Sequence, residues 1–581
     1  MKTASLENNR HSLAHLLAAA VMELYPDAKR TIGPAIDNGF FYDFQFTKPI
    51  SDSDLPSIEK KMRQLLPGWT KFEKSEVSEK DAKKKYADNP FKLELIEEYA
   101  KGGLTLYKSG NFSDLCRGGH AENPAKEIAP YSFKLSHVAG AYWRGDEKNP
   151  MLTRIYGLAF ASKKELDDYL KFQEEAKKRD HKKLGPELDL FTFSELVGAG
   201  LPLWTPRGTL IRTLLDDFVW ELRKKFGYHR VEIPHITKKD LYEKSGHWDK
   251  FKNELFRIQT REGHVFAMKP MNCPHHTQIY ARKQWSYRDL PQRYANTTMV
   301  YRDEQTGELS GLSRVRSITQ DDAHVFCRAD QNVEEMSKIW EIIEEFYKGC
   351  GFPELEIRLS FHDPKAQEKY LGTPKLWKTA EAQLEKLVKS KKAKAEIAIG
   401  EAAFYGPKID FMANDSLGRE WQVATIQLDM NMPERFDLSC VNEKGEQERI
   451  VMIHAAIMGS IERFMSVLIE HFAGAFPLWL SPVQVAVLPI NDKVASYARS
   501  ISKDLMQNNV RVELDDRNES IGKKIREAEK QKIPYMLIIG GKEAEAGTVS
   551  IRGRGEKDLG VMKHEEFIEK IKNEAVAKAA S

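Results

Sequence analysis

Tyr301-Arg-Asp-Glu304, followed by a loop and by Arg314-Val-Arg316, is the stretch of sequence that decides the fold, and Gly459-Ser-Ile-Glu-Arg463 accompanies it later in the chain. An isolated arginine is most often part of a surface salt bridge. Here arginines recur in two separate stretches. Because guanidinium groups offer planar, paired donors to phosphate and carboxylate oxygens, the pattern indicates a site where several negative charges meet.

Three possible metal ligands lie in or near the same stretches. They are Cys273 in Met-Asn-Cys-Pro-His-His, His324 in Gln-Asp-Asp-Ala-His, and His454 shortly before Arg463. A structural zinc usually has four protein ligands, whereas a catalytic zinc has three and keeps one position open. The separations of 51 and 130 residues follow no spacing rule, so each residue taken alone is more simply explained as a core residue. Because these three residues occur in or near the arginine stretches, we predict that they bind one Zn²⁺ per chain and that this zinc holds a substrate.

Length and composition set the outer limits. With 581 residues the chain is too long for a single core, and three or four domains are expected. The net charge of +3, from 89 basic and 86 acidic residues, neither proves nor excludes a nucleic-acid partner. Five scattered cysteines favour a reducing compartment. We expect a cytoplasmic protein without a membrane partner, since no signal peptide and no long apolar run occurs.

The first half of the chain contains local signals for strands and helices. Gly39-Phe-Phe-Tyr-Asp-Phe44 is typical of a strand. Ser162-Lys-Lys-Glu165 is a capping box that opens a highly charged helix to about Lys183, which we interpret as a linker between domains. Further on, apolar residues at helical spacing run from Leu210 to Phe226 and lead into a short strand before Pro234.

The last hundred residues have a different pattern of apolar residues from the rest of the chain. Three apolar runs predict buried strands at Val483–Ile490, Val510–Leu514 and Tyr535–Ile539, with amphipathic helices between them. Such alternation predicts an α/β unit.

The arginine stretches resemble signature motifs of class II aminoacyl-tRNA synthetases. Residues 301–304 with 314–316 are similar to motif 2, residues 459–463 to motif 3, and the segment that ends at Pro234 to motif 1, the dimer element. The three possible zinc ligands, with Met271-Asn-Cys-Pro and Gln320-Asp-Asp-Ala-His, narrow the resemblance to the threonyl-tRNA synthetases. It extends from about residue 8 to the C-terminus.

This resemblance implies an α+β multidomain protein with an antiparallel-sheet class II catalytic core. It implies an α+β editing domain at 1–163, a linker helix at 164–181, a zinc-containing catalytic domain at 182–478 and an α/β anticodon-binding domain at 479–581. It also implies a homodimer that binds tRNA(Thr), threonine and ATP with Mg²⁺, and that does not bind DNA. Bacterial members commonly start with a further ubiquitin-like domain. Here the sequence starts at the editing domain, either naturally or because that segment was removed.

The implied reaction joins threonine to the α-phosphate of ATP, releases pyrophosphate and transfers threonine to tRNA. Arginines stabilise the negative charge of such a transition state. By the resemblance, Arg302 contacts the α-phosphate and the substrate carboxylate, and Glu304 holds the adenine amino group. The resemblance also implies that Arg314 and Arg463 bind the β- and γ-phosphates. The implied nucleotide-binding residues are Arg302, Glu304, Arg314, Ile318, Gln422 and Arg463, and the implied catalytic residues are Arg302, Lys408 and Arg463.

A zinc ion gives the implied threonine site a means of selection. An open zinc position can accept the amino and hydroxyl groups of threonine, whereas valine, its isostere, has no hydroxyl. Serine lacks only a methyl group, worth roughly 1–3 kcal/mol, so serine is admitted. The side chains expected to line this pocket are Asp322, Tyr405, Gln422, Thr425 and Gln427.

A pocket that admits serine predicts a second site that removes it. His11-Ser-Leu-Ala-His15 places two imidazoles on one helix face, and Cys116-Arg-Gly-Gly-His120 supplies a thiol and a third imidazole. By composition alone these residues form a second zinc site. They also resemble the editing domain shared by threonyl- and alanyl-tRNA synthetases, which implies that they hydrolyse seryl-tRNA without a metal, and we follow the resemblance. The further editing residues that it implies are Lys92 and Asp114.

Three positions depart from the family pattern. Ile318 stands where an aromatic residue usually stacks on adenine, which predicts weaker ATP binding. Ala455 stands where an arginine usually follows His454. Gly119 replaces a proline, which predicts a looser loop that could shift His120.

The C-terminal unit resembles the anticodon-binding domain of class IIa synthetases. Hydrogen bonds to unstacked bases are the usual source of RNA sequence specificity. The implied base-reading residues are Asn518, Lys532, Glu543 and Arg552, and Lys532 stands where an arginine is usual. The alternative for each is a polar residue on a solvated face.

Two other functions are compatible with parts of the sequence. A synthetase-like protein that no longer charges tRNA would usually have lost motif arginines or zinc ligands, and all of these are present here. A zinc hydrolase could use the same Cys/His residues to activate water, but hydrolysis does not need an arginine cage for ATP. Threonine-dependent pyrophosphate exchange would separate the three hypotheses.

Overall fold

A computed structural model describes residues 2–352, 354–576 and 578 of the chain. It divides into two compact units, residues 1–175 and 176–581. The predicted outer limits of the first and last domains, residues 1 and 581, lie outside the described residues. No helix in the described ranges is long and apolar enough to cross a membrane.

Unit 1 consists of an antiparallel sheet with helices and a smaller second sheet. The larger sheet has the order β1-β3-β8-β7, with β2 paired to β3, and the smaller has the order β4-β5-β6. Its helices are α1 (Lys2–Leu24), α2 (Leu55–Leu65), α3 (Glu79–Lys85), α4 (Pro90–Tyr99) and α5 (Pro124–Glu127), and α6 (Lys163–Arg179) contains its end. Its strands are β1 (Lys29–Arg30), β2 (Ala35–Ile36), β3 (Gly39–Gln45), β4 (Glu73–Val77), β5 (Leu104–Ser109), β6 (Phe112–Leu115), β7 (Phe133–Tyr142) and β8 (Met151–Ala159).

Helix α1 forms the centre of the unit 1 core. Its residues from Ser12 to Val21 are all buried, and they are almost all apolar. A helix that is apolar on every side must be surrounded by other elements, and here β3 and α2 pack against it. His15 is therefore held rigidly inside the unit.

Unit 2 holds the remaining elements. Its helices are α7 (His181–Glu187), α8 (Pro206–Lys225), α9 (Lys239–Ser245), α10 (His247–Lys250), α11 (Cys273–Tyr280), α12 (Asn332–Gly349), α13 (Pro374–Ser390), α14 (Asn431–Arg435), α15 (Ile461–Phe472), α16 (Ala495–Gln507), α17 (Ile521–Lys530), α18 (Gly541–Ala546) and α19 (His564–Val576). Its strands are β9 (Phe191–Thr192), β10 (Leu203–Trp204), β11 (His229–Arg230), β12 (Ile236–Lys238), β13 (Arg257–Gln259), β14 (Val265–Met268), β15 (Gln292–Tyr301), β16 (Ser317–Cys327), β17 (Glu356–Phe361), β18 (Ala395–Ile399), β19 (Lys408–Asn414), β20 (Glu420–Asp429), β21 (Ser439–Val441), β22 (Gln447–Arg449), β23 (Val451–Ala456), β24 (Val485–Pro489), β25 (Val512–Leu514), β26 (Tyr535–Ile539), β27 (Thr548–Gly553) and β28 (Lys557–Lys563).

An eight-stranded sheet is the framework of the first part of unit 2. Its order is β11-β15-β16-β23-β20-β19-β17-β18. Among the six central strands every neighbouring pair is antiparallel, whereas the two edge strands, β11 and β18, are parallel to the strands beside them. The amphipathic helices α12 and α15 cover one side with apolar residues of the main core. The predicted antiparallel core is confirmed.

The C-terminal part of unit 2 has its own five-stranded sheet of order β25-β24-β26-β27-β28. The strands β24, β25 and β26 correspond to the three predicted apolar runs and are parallel to one another. The last two strands are antiparallel. The predicted α/β character is therefore confirmed for this region.

The linker helix was predicted too long. α6 ends at Arg179, and Asp180 then caps a new helix, α7, by accepting a hydrogen bond from the backbone N–H of Lys182 at 2.8 Å. An aspartate favours such an N-cap over a helix interior, which explains the break before Lys183. The start of α6 agrees with the sequence, because Ser162 Oγ accepts from the Glu165 N–H at 3.2 Å.

Candidate active sites

Cys273, His324 and His454 come together at the central sheet. β16 and β23 are antiparallel neighbours, and their register places His324 directly opposite His454. Cys273 is the first residue of α11. All three side chains are buried, and their ligand atoms lie within 4.8 Å of one another. Two histidines that are 130 residues apart in sequence are thus cross-strand neighbours.

Hydrogen bonds orient the two imidazoles. His454 Nε2 lies 3.0 Å from Asp429 Oδ2, and its Nδ1 faces His324 Nε2 at 3.0 Å. A carboxylate on the far nitrogen of a metal-binding histidine fixes its tautomer. Burial lowers the pKa of His324 well below its ordinary value, so the ring is neutral, as a metal ligand must be. Cysteine and histidine donors suit Zn²⁺ better than Mg²⁺, and the three residues fit a zinc ion with an open position.

Three of the five predicted threonine-pocket residues lie at these ligands. Tyr405 stacks on the His454 ring with centroids 4.8 Å apart, and its hydroxyl donates to Gln427 Oε1. Gln427 is the cross-strand neighbour of His454 on β20. Asp322 is buried two residues before His324 and accepts a hydrogen bond from Asn272 Nδ2 at 3.1 Å.

The other two predicted pocket residues bind a carboxylate that sequence reasoning missed. Asp410 Oδ1 accepts from Gln422 Nε2 at 2.7 Å and from Thr425 Oγ1 at 3.1 Å. Its Oδ2 accepts from Ser360 Oγ at 2.7 Å and lies 2.7 Å from Lys408 Nζ. The available signal was the strand period of two, which places Asp410 on the same face of β19 as Lys408.

The arginines of the two motifs differ in whether a carboxylate already binds them. Arg314 Nε donates to Glu304 Oε2 at 2.8 Å, so these two predicted nucleotide contacts are paired with each other. Arg302 lies over the Phe251 ring at 5.3 Å, and its Nε has no hydrogen-bond partner in the described part of the chain. Arg463 is exposed at the start of α15, and its guanidinium lies 5.9 Å from the Trp421 ring.

No ion pair binds Arg302 or Arg463 to a carboxylate among residues 2–352, 354–576 and 578. Two guanidinium groups are therefore available for an anionic substrate. Ile318 is half-buried on β16, opposite Val300. Ala455 is buried between Ala323 and Ile426 on the neighbouring strands, an apolar setting that agrees with its departure from arginine.

The four N-terminal Cys/His residues form a second cluster, in unit 1. His11 and His15 lie on successive turns of α1, and all four ligand atoms are within 4.8 Å of one another. Cys116 Sγ lies 3.4 Å from His11 Nε2 and 3.3 Å from His120 Nε2. Burial lowers the pKa of His120 to about 3, so that imidazole is neutral at pH 7 and is a weaker base than a free histidine. The composition also fits a zinc ion, since cysteine thiolates and histidine nitrogens are usual zinc ligands.

A buried charge network lies beside this cluster. Lys92 Nζ lies 2.8 Å from Asp114 Oδ1, and both side chains are almost fully buried. Burial alone would raise the pKa of Asp114, but the charges of Lys92 and Arg30 outweigh it and the net pKa is lowered. Tyr42 donates to Asp114 Oδ2 at 2.5 Å. Sequence reasoning missed Arg30 and Tyr42. They lie on strands β1 and β3, outside the two segments 11–15 and 116–120 that supply the cluster.

Gly119 determines the shape of the loop that carries His120. Its φ of 84° lies in the left-handed region, which a proline ring cannot adopt. Its carbonyl accepts a hydrogen bond from His11 Nδ1 at 3.1 Å. The ring of His120 lies beside that of His11, with centroids 4.5 Å apart, and the predicted effect of Gly119 on its position stays a prediction.

The four predicted anticodon residues are spread over different elements. Asn518 is exposed in the loop before α17, and Arg552 lies on β27. Glu543 Oε2 caps α18 by accepting from the Gly540 N–H at 2.9 Å. Lys532 adopts a positive φ of 58° after α17. No hydrogen bond joins these four residues to one another in the part of the chain that the structure describes, and their role stays a prediction.

Models of three protein families match the chain. Residues 256–472 match the tRNA synthetase class II core domain (G, H, P, S and T). Residues 484–574 match an anticodon binding domain, and residues 104–156 match the threonyl and alanyl tRNA synthetase second additional domain. The last match includes Asp114, Cys116 and His120.

Similarity to known proteins extends over almost the whole chain. It is 51% identical to a threonine–tRNA ligase of Porphyromonas gingivalis over 570 residues, which cover 97% of this chain and 87% of that protein. It is 48% identical to a threonine–tRNA ligase of Rubrobacter xylanophilus, over 98% of this chain and 89% of that protein. A crystal structure of the RNA binding domain of threonyl-tRNA synthetase from Cryptosporidium parvum superposes with a TM-score of 0.65 and 36% identity, covering 69% of this chain and 99% of that one.

Proposed function

The chain belongs to the threonine–tRNA ligase family, and from this premise we propose which of its residues perform each step. The enzyme joins threonine to tRNA with ATP, and its second additional domain edits mischarged tRNA. The predicted fold class, enzyme class and function are confirmed. One observation carries the assignment of the active site: the ligand atoms of three buried Cys/His residues lie within 4.8 Å of one another, and two of these residues are on the strands β16 and β23 that lead from or into the arginine motifs.

Cys273, His324 and His454 would hold the zinc ion. When bound, zinc supplies a position that takes the amino and hydroxyl groups of threonine, which a site of apolar side chains could not distinguish from valine. Asp429 orients His454 through its Nε2. Tyr405, Gln427 and Asp322 surround the ligands and would close the pocket around threonine.

Arg302 and Arg463 would bind ATP with Mg²⁺ and offset the charge of the transition state. Both guanidinium groups lack a carboxylate partner among the described residues, so substrate binding breaks no ion pair. Glu304 and Arg314 are already paired, and this pair would present an acceptor to the adenine amino group and a cation to the phosphates. Lys408, held by Asp410, would contact the reaction centre. Gln422, bound to the same carboxylate, would lie between the two substrates.

The N-terminal cluster would hydrolyse seryl-tRNA without a metal. His11, His15, Cys116 and His120 would place a water molecule and donate a proton to the leaving ribose oxygen. Lys92 and Asp114 form the buried support next to them. The contacts that favour this role are those of His11, whose Nδ1 binds Gly119 O and whose Nε2 faces Cys116 Sγ.

The remaining assignments follow from the reaction. The C-terminal unit would read the anticodon through Asn518, Lys532, Glu543 and Arg552. The editing domain would end at residue 163, the linker at residue 181 and the catalytic domain at residue 478. Charging of tRNA and five free cysteines in the described residues favour a cytoplasmic location.

Threonine-dependent exchange of pyrophosphate into ATP tests this function. The parent protein should hold about one zinc ion per chain, and Cys273→Ser should lose zinc and exchange together. Cys350→Ser is the matched control, because Cys350 is an equally buried free thiol far from the ligands in sequence. A Cys273→Ser protein with full zinc content and full activity would refute the metal assignment. Exchange that does not depend on threonine would refute the substrate.

A further inference from the structure

The start of α7 contacts the loop that joins the two halves of motif 2. We name residues 305–313 the motif-2 loop. His181 is buried, and its Nε2 accepts a hydrogen bond from the Leu312 backbone N–H at 3.0 Å. Since this nitrogen accepts, the ring proton is on Nδ1, which donates to Glu470 Oε1 at 2.6 Å. One neutral imidazole therefore joins the loop to α15.

A metal is a poor occupant for this place, although Asp180, His181 and Glu470 offer three closely spaced ligand atoms. Both ring nitrogens of His181 are already used by Leu312 and Glu470. Asp180 caps α7 through the Lys182 N–H. The cluster is thus a complete hydrogen-bond network with the tautomer of His181 fixed from both sides.

The far end of this network is the helix of motif 3. Glu470 lies on α15 seven residues after Arg463, which puts both side chains on one side of the helix two turns apart. Arg419 Nη2 fixes the second carboxylate oxygen of Glu470 at 2.5 Å. A second hydrogen bond joins the same two elements, because Ser313 Oγ of the motif-2 loop lies 3.1 Å from Ser466 Oγ of α15.

The loop fits closely against His181. Gly311 has a φ of 52°, and a Cβ atom added there would lie 2.3 Å from His181 Nε2. Directly beyond, the Ser310 N–H donates to Arg314 O at 3.1 Å, and the Arg314 side chain binds Glu304. A displacement of Leu312 would therefore be passed on to both nucleotide contacts of motif 2.

We propose that His181 is a positioning residue for ATP: through the Leu312 N–H it sets the motif-2 loop against the motif 3 helix, and so places Arg314 and Glu304. Both ring nitrogens of His181 bind protein groups, so its effect on ATP would be indirect. The inference rests on the proposed function only in that Arg314 and Glu304 are taken as nucleotide contacts.

Two substitutions of similar size separate the two hydrogen bonds of the ring. In His181→Gln the side-chain oxygen can reach the place of Nε2 and accept from Leu312. In His181→Asn the amide can reach only the place of Nδ1 and bind Glu470. We expect His181→Asn to raise the KM for ATP about tenfold, as expected for one buried N–H left unpaired. The KM for threonine and the zinc content should stay at the parent values, and His181→Gln should restore most of the ATP affinity.

The result that overturns the inference is an equal effect of the two variants, or an unchanged KM for ATP in His181→Asn. If His181→Asn does not fold, Gly311→Ala provides the test from the loop side, because its methyl group displaces the same contact. It should raise the KM for ATP and leave that for threonine unchanged, and equal changes in both constants would count against the proposal. Failure of the proposed function itself is distinguishable, since the parent protein would then show no threonine-dependent exchange.

Discussion

At the scale of single residues, Asp410 holds together four side chains on one side of the proposed reaction centre. Its carboxylate is 2% exposed and binds four side chains, those of Ser360, Lys408, Gln422 and Thr425. A buried carboxylate is stable only when it is paired and fully hydrogen-bonded, and here every partner comes from a strand of the same sheet. Gln422 and Thr425 were predicted as pocket residues and Lys408 as a catalytic residue. Asp410, which binds all three, was not predicted.

Asp410→Asn should therefore damage catalysis more than its small change in size suggests. The amide keeps the shape but removes the charge that holds Lys408, and its NH₂ group faces two donors. We expect a loss of about 1.5–3 kcal/mol, the value of a hydrogen bond to a charged group, seen as a ten- to hundredfold lower rate of pyrophosphate exchange. Ser360→Ala is the control, because it removes one neutral partner only. An Asp410→Asn enzyme with the parent rate would show that Lys408 needs no anchor.

Ile318 tests what holds the adenine ring. Its half-buried side chain on β16 has no aromatic face to offer the base. Ile318→Phe should strengthen ATP binding by about 0.5–1.5 kcal/mol, the gain expected from an aromatic pair beyond burial. Ile318→Leu supplies an aliphatic side chain of equal size and should leave the affinity unchanged. Calorimetric titration with ATP measures both, and an unchanged or weaker affinity for Ile318→Phe would mean that the base stacks elsewhere.

At the scale of elements, strand pairing decides what the sequence can reveal. The motifs and the apolar runs of the C-terminal unit were visible because each is local, with a period of two or a fixed set of side chains. The proximity of His324 to His454 could not be predicted from the sequence, because it depends on the register between β16 and β23. A buried ion pair between Arg223 of α8 and Asp321 of β16, 2.5 Å long, supports this arrangement. Asp321 also accepts from the N–H groups of Ile457 and Met458, just after β23.

The outcome for α6 shows the limit of helix prediction. Mixed charge continues through Asp180, so composition alone gives no reason to end the helix there. The end is set by Asp180 acting as a cap and by His181 binding Glu470, a residue of α15 far along the chain. Local propensity could not include that tertiary contact.

The segment from β9 to β10 exposes apolar side chains that we predict to form a contact between two copies of the chain. Four large apolar side chains between Phe191 and Trp204 are exposed, namely Phe193, Leu196, Val197 and Leu203, and Leu196 is 100% exposed. Exposed apolar groups of this density are typical of protein interfaces. We propose a second copy as the occupant, in agreement with the dimer implied by the motif 1 resemblance. Leu196→Asp should shift the mass in light scattering from dimer toward monomer, whereas Val561→Asp, at another exposed apolar position, should not. A parent protein that is monomeric at micromolar concentration would contradict the proposal.

At the scale of the whole molecule, two separate sites divide the task of selecting threonine. The zinc pocket of unit 2 would test for the hydroxyl group, which serine shares. The unit 1 cluster would then exclude the threonine methyl group by size, so only the seryl ester enters. Each unit has its own hydrophobic core and contains one of the two Cys/His clusters. The two activities should therefore be separable by mutation.

Changing both His11 and His15 to Ala should leave threonine charging near normal and let Ser-tRNA accumulate, because only the unit 1 cluster is changed, and it loses two of its three imidazoles. Deacylation of purified Ser-tRNA by the full-length protein measures the loss, and Ala18→Gly, at a buried apolar position of α1, is the control for helix packing. A chelator test then addresses the metal. Hydrolysis that survives removal of all zinc from the Cys273→Ser protein supports side-chain catalysis. Recovery only on addition of zinc would mean that the Cys/His₃ cluster is a metal centre. A double mutant that clears Ser-tRNA as fast as the parent would show that neither imidazole of α1 takes part in editing.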